Sequence, residues 1–319
     1  MASVQPESVL VLTNLHDATA DLVLRILAER RVPVVRLDPG VDLHRDASLT
    51  ARYGTGGRRG SLLTATRALD LDVVRSVWYR RPTSFHGPPD LGGQEAKFAG
   101  AQAFWGAGGI LASLSGAHYV NHPWQVRNAE YKPAQLAAAQ HCGLLVPDTV
   151  ITADPAEARE FCRARAAVYK PLWSTPYVGP DGSAQQVWVR DVRTEEITDA
   201  VSACPHLFQA RVDKSVDVRL TAVGGKLFAG ALESPDLDWR RRQALLTCEP
   251  VAVPDPVAAG VAAYLSRMGL VFGAFDFAVG RDGTWYFLEC NPNGQWAWQP
   301  PRLTRPIAHA IADELENPP

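Results

Sequence analysis

Residues 272–291, FGAFDFAVGRDGTWYFLECN, constrain the fold more than any other stretch of the chain. Two apolar runs flank Asp282-Gly283. Such a pair favours a tight hairpin turn, because both residues tolerate the backbone that the turn requires. Read as a two-residue loop, it pairs Arg281 with Thr284, and the register continues outward until Asp276 lies opposite Glu289. Directly opposed residues share a face, with Cβ atoms ~5 Å apart. Asn291, two positions beyond Glu289, shares that face, while Phe275, Phe277, Leu288 and Cys290 point the other way. Opposed carboxylates repel unless a cation lies between them. Hard oxygen donors with room for phosphate oxygens match Mg²⁺. The competing reading is an acid pair solvated on an exposed face; the apolar flanks and the specific register favour the metal. A three- or four-residue loop would break that register.

The remaining elements predict an α/β (α+β) chain. Strand 7–14, a helix from Asp17 to about Arg31 and strand 34–38 form a β-α-β start, the mark of a parallel sheet. Its first turn, TNLHDAT, has no glycine, which excludes the glycine-rich dinucleotide-binding turn. A strand is expected at 73–82, then a helix over 94–114 broken by WGAGG. Beyond 118 the pattern gives a helix at 129–141, strands at 148–152, 166–170 and 187–190, and a helix beginning at Asp154-Pro155. The polar segment 172–186 reads as a hairpin or lid, and 191–201 as a helix. From 206 the chain is mostly antiparallel, with a second hairpin turn at Gly224-Gly225. The expected units are 1–117, 118–205 and 206–319.

A formal net charge of −2 provides no basic field for nucleic acid. The first residues lack the basic start and apolar core of a signal peptide, and no apolar run approaches the ~20 residues of a membrane span. The five cysteines have no CxxC spacing, which argues against a zinc site or disulfides and fits a reducing cytoplasm. Only five lysines occur. Lys170 ends the apolar strand VYK, well placed to clamp phosphate, although a lysine snorkelling from a strand end would look the same. Lys132 falls in the first turn of a helix, where a cation is unfavourable unless an anion is also present. Arginines stand beside acids in DVRL (217–220) and DWRRR (238–242), as phosphate forks or as surface ion pairs.

In chain order, Lys132, Lys170, QARV (209–212), DVR (217–219), DWR (238–240), FDF (275–277) and ECNPNG (289–294) resemble the ATP-grasp ligases. The resemblance covers roughly 118–319, with 1–117 similar to the α/β pre-ATP-grasp domain that such enzymes carry. VWYRRP (77–82), 131–152 and 273–296 look closest to the ribosomal-peptide maturases that make graspetides, relatives of the ribosomal-protein glutamate ligases. The resemblance implies ATP and Mg²⁺, as two ions. Lys132 and Lys170 would hold phosphates, Gln209, Ala210, Arg211 and Val212 would meet adenine, and Asp217 would belong to the nucleotide site. Asp276, Glu289 and Asn291 would bind metal. Arg219, Arg240 and Asn293 would surround the transferred phosphoryl, with Pro292 and Gly294 bending Asn293 toward it.

The partner implied is a precursor peptide with a leader, met by Trp78, Arg80 and Arg81 or by Glu195, Glu196 and Asp199. The bland readings are strand-end packing and a solvated helix face. Trp296 and Trp298 are either walls of the acceptor site or core. A homodimer is a further expectation, as is peptide cyclisation by ester or amide links. The alternatives are a ligase adding a free amino acid and a non-catalytic nucleotide-binding module.

Overall fold

The computed structural model describes residues 7–173 and 177–319. Residues 1–6, and 174–176 of the expected lid, lie outside the described residues.

The chain opens with β1 (Ser8–Thr13), α1 (Ala18–Glu29), β2 (Val34–Leu37) and the one-turn α2 (Pro39–Asp42). Asp17 caps α1, its carboxylate accepting from the Thr19 and Ala20 amides. A small antiparallel sheet follows, β3 (Ser48–Gly54), β4 (Gly57–Leu63) and β5 (Ala68–Asp70), which the sequence patterning did not reveal. Its polar, glycine-rich strands bury little besides Leu62 and Leu69. Next come β6 (Val74–Arg81), α3 (Gly93–Leu111), β7 (His118–Val120) and α4 (Pro123–Ala129). A parallel sheet of order β2-β1-β6-β7 results, extending three residues past the expected unit boundary. The expected break at WGAGG is absent. Gly106, Gly108 and Gly109 stay helical, and Gly108 lets Phe85 pack against the helix.

The second unit contains α5 (Lys132–His141), β8 (Thr149–Thr152), α6 (Pro155–Ala164) and β9 (Ala167–Lys170). The hairpin β10 (Tyr177–Val178) and β11 (Ala184–Gln185), then β12 (Arg190–Val192) and β13 (His206–Ala210), complete it. The sheet runs β12-β9-β13-β8. The helix expected at 191–201 is replaced by β12 and two one-turn segments, Thr194–Glu196 and Asp199–Ala203. Glu196 accepts from the Arg193 amide and Thr198 from the Ala200 amide, so local side-chain bonds compete with a continuous helix. The helix expected at 129–141 is α5, which starts at Lys132 because Pro133 is tolerated in the first turn but not in a helix interior; α4, which ends at Ala129, was not expected.

The third unit holds β14 (Lys214–Val223), β15 (Lys226–Glu233), β16 (Thr247–Pro250), α7 (Asp255–Met268), β17 (Phe272–Gly280), β18 (Trp285–Asn291) and α8 (Pro301–Glu316). Its antiparallel sheet has the order β16-β15-β14-β17-β18. Phe275, Phe277, Phe287 and Cys290 bury one face against Tyr264 and Val261 of α7 and Leu136 of α5. Ile307, Ile311 and Leu315 of α8 share another core with Val9, Val23, Leu27 and Trp78, so the first and third units are packed together. Among the described residues, no helix is long and apolar enough to cross a membrane.

Candidate active site

The hairpin β17–β18 brings Asp276 opposite Glu289, as its sequence patterning predicts, but by a different route. The loop has three residues, not two. Gly280 pairs with Thr284 through its amide (2.8 Å), and Gly283 sits at φ +83°, where a glycine is favoured. That shifts the ladder by one, so Phe277 faces Phe287. A bulge between this pair and Asp276–Glu289 shifts it back. The extra residue, Leu288, therefore lines the cleft beside Glu289 instead of entering the core, and Phe287 is fully buried in its place. Cys290 faces the core as expected, where burial pushes its thiol up. The outer edge of β18 is covered. The Phe287 amide donates to Leu145 O (2.7 Å), and the Cys290 amide to Gln135 Oε1 of α5 (3.0 Å).

The acid pair is surrounded by cations. Arg219, directly across the ladder from Asp276, donates to it at 2.9 Å. Arg240 donates to both Asp276 and Glu289, and Lys132 pairs with the other oxygen of Glu289. The conflict between Lys132 and the α5 N-terminus is thus offset by a carboxylate. Burial works to raise the Glu289 pKa, but Arg240, Lys132 and Lys170 overcome it and hold the carboxyl well below its usual range. Burial opposes the Arg240 charge too, and Glu289 with Asp276 more than restores it. Lys170 is buried at the end of β9, and desolvation pushes its ammonium down to about 8 despite the attraction of Glu289.

These groups lie at one end of a cleft between the second and third units. Val168, Val189 and Leu237 give it apolar walls, and Gln209–Val212 cross its far side. Gln209 is pinned by Thr149 (2.9 Å), and the amides of Ala210 and Arg211 donate to Asp148 O and Ala166 O. Among the described residues the Val212 amide has no backbone acceptor. Asp217 is buried, which raises its pKa although Lys214 donates to it at 2.5 Å. Lys214 lines the cleft and was not singled out from the sequence; a lysine three residues before a buried aspartate on one strand was the available signal.

Residues 8–127 match the MvdD pre-ATP-grasp domain family. The macrocyclase MdnC of Microcystis aeruginosa MRC, solved with the precursor peptide MdnA, is 26% identical with a TM-score of 0.84, over 97% of this chain and 99% of its own. The macrocyclase MdnB of the same organism is 29% identical with a TM-score of 0.79, over 97% and 99%. The chain is similar to the graspetide-type ATP-grasp ligases, with a pre-ATP-grasp domain over residues 8–127. A Chryseobacterium gregarium RiPP-associated ATP-grasp ligase, in complex with ADP and a leader and core peptide, shares the fold at 24% identity and a TM-score of 0.88, over 97% and 96%. No curated protein matches the chain.

Several of the expected residues make contacts of other kinds. Asn293 turns toward the first unit. With its amide nitrogen turned inward, it donates to Tyr79 O (3.1 Å) and Arg80 O (3.2 Å) of the first unit. Its own amide donates to Asn291 Oδ1 (2.9 Å), so Asn291 stands beside the acid pair with one lone pair engaged. Arg219 is buried beneath Asp276, and its second nitrogen donates to Gln295 O (3.1 Å). Trp78 and Arg80, expected to meet peptide, are 3% and 2% exposed at the joint between units; Arg81 is exposed. Glu196 and Asp199 form surface ion pairs with Arg190 and Arg159, and Glu195 is exposed nearby. Trp296 is fully buried in the shared core, while Trp298 packs on Trp239 at 5.0 Å. Sequence patterning also missed two polar residues of this region. Asn121 donates to Phe272 O and Pro292 O, and Gln295 accepts from Thr19 and Arg80.

The donor set fits a magnesium–nucleotide pair. Asp276 and Glu289, with Asn291 two residues on, would offer a few oxygen donors of the kind Mg²⁺ takes together with substrate phosphates. The cations that now neutralise the acids are of the kind that takes phosphate oxygens.

Proposed function

We propose that the protein is an ADP-forming ligase that activates Asp or Glu side chains of a ribosomal precursor peptide. It then joins them to Ser or Thr hydroxyls, or to Lys amines, of the same peptide. One observation carries this most: a cleft with apolar walls, whose Val212 amide has no backbone acceptor among the described residues, leads to an acid pair ringed by Lys132, Lys170 and Arg240.

In this reading Asp276, Glu289 and Asn291 hold Mg²⁺, which would supply charge neutralisation on the transferring phosphoryl. Gln209–Val212 orient the base. Lys132, Lys170 and Arg240 exchange their carboxylate neighbours for phosphate oxygens, so charge balance is kept when nucleotide enters. Asp217, held by Lys214, fixes the cleft wall next to them, and Arg219 keeps Asp276 oriented. The γ-phosphoryl passes to a peptide carboxylate oxygen and ADP leaves. The hydroxyl or amine then attacks the carbonyl carbon, phosphate leaves with the C–O electron pair, and the nucleophile's proton is lost. Two Mg²⁺ ions, a leader on the precursor, a homodimer and a cytoplasmic setting complete the reading.

Incubation with the cognate precursor, ATP and Mg²⁺, read by mass spectrometry, tests it. Loss of one water per new bond is expected. Gain of an amino-acid residue would sink cyclisation in favour of a ligase using free amino acids.

A further inference from the structure

We propose that Arg80 of the pre-ATP-grasp domain is a positioning residue for the metal-site loop, so that the phosphoryl-transfer site is complete only with that domain docked. The proposal rests on the ligase function above.

Arg80 lies at the end of β6, and its guanidinium touches both sides of the joint. Nε is 3.4 Å from Asp17 Oδ2, the cap of α1, which is itself fixed by Thr13 Oγ1 (2.9 Å). On the other side, Nη1 donates to Asn293 O (2.5 Å) and Nη2 to Gln295 Oε1 (2.6 Å). Thr19 Oγ1 donates to the same Gln295 oxygen at 2.9 Å. The Gln295 carbonyl then accepts from Arg219 (3.1 Å), whose other nitrogen holds Asp276 (2.9 Å). A continuous run of buried or half-buried polar contacts therefore links α1 to the acid pair. Asn121 adds a second tether, donating to Pro292 O at 2.9 Å.

A buried guanidinium left without partners is strongly unfavourable, so this set of contacts has one good arrangement. It holds residues 292–295 against the sheet directly after Asn291. Groups that orient metal ligands tune metal affinity without touching the ion. Arg30 gives a contrast, since it bridges the same two units through Asp313 and Glu316, near the C-terminal end of α8.

Titration calorimetry of ADP into full-length protein, with Mg²⁺ and with EDTA, separates positioning from mere structure. In wild type Mg²⁺ should tighten ADP binding. In Arg80→Met that tightening should shrink roughly tenfold to a hundredfold, with affinity in EDTA unchanged. Arg80→Lys should recover part of it, since charge is kept but the planar fork is lost. Arg30→Ala should lower the melting temperature and leave the Mg²⁺ effect as in wild type. A folded Arg80→Met protein with the full Mg²⁺ effect would overturn the proposal. If that variant does not fold, Gln295→Ala carries the same expectation, and a full Mg²⁺ effect there overturns it equally. A wild-type protein indifferent to Mg²⁺ would instead remove the ligase reading, and the proposal with it.

Discussion

Lys170 is enclosed by Glu289 and Asp276, which favour its charge, and by Lys132 and Arg240, which oppose it; burial outweighs them all. Its folded pKa, about 8, lies below the ordinary value of 10.5. The unfolded chain therefore binds more protons between these limits, and the stability cost of the buried ammonium, full below pH 8, is relieved as pH rises through that window. A phosphate bound beside it, as proposed, would restore the charged form. ADP binding should thus take up a proton above pH 8, and affinity should weaken as pH rises beyond it. Calorimetry in buffers of different ionisation enthalpy would detect that proton, and Lys170→Met should abolish it. At this scale the sequence was readable for charges at strand ends and in opposed pairs. It was not readable for Arg80 and Asn293, whose side chains are turned by a joint between units that lie more than 200 residues apart in the chain.

The β17–β18 hairpin shows why alternation alone misassigns a residue. Strict period-two reading places Leu288 in the core and Phe287 on the cleft face. The three-residue turn and the bulge each shift the ladder by one, in opposite senses, so Asp276 still meets Glu289 while Phe287 and Leu288 exchange faces. Nothing in the local sequence marks the bulge, because the demand for Phe287 comes from Tyr264 and Phe275 on other elements. The loop after β18 depends on Gly294. A Cβ there would lie 2.4 Å from the Ala274 Cβ and 2.5 Å from Arg219 Nη2. Gly294→Ala should therefore cost about 1–3 kcal/mol, as overpacking does. It should also weaken Mg²⁺-dependent ADP binding, which chemical denaturation and calorimetry would check separately.

Over the whole molecule, the first of the three expected units shares a core with the third. The parallel β1-α1-β2 start was legible from its apolar strands and the Asp17 cap, but the sheet order and the partner of α1 were not, since β7 is short and α8 returns from the end of the chain to cover α1. Ile311 is fully buried there. Ile311→Ala should cost about 2–5 kcal/mol and lower a single unfolding transition. A separate early transition of the first unit in scanning calorimetry would speak against the shared core.

The acid pair itself is tested most directly by steady-state ADP release. The measurement uses cognate precursor peptide, saturating ATP and a range of Mg²⁺ concentrations, with wild type and Asp276→Asn side by side. Wild type should respond to Mg²⁺, and the folded variant should fall on the order of a hundredfold or more, as loss of a group stabilising transition-state charge does. Equal ADP release by the two proteins would contradict the assignment of Asp276 and Glu289 as the metal site.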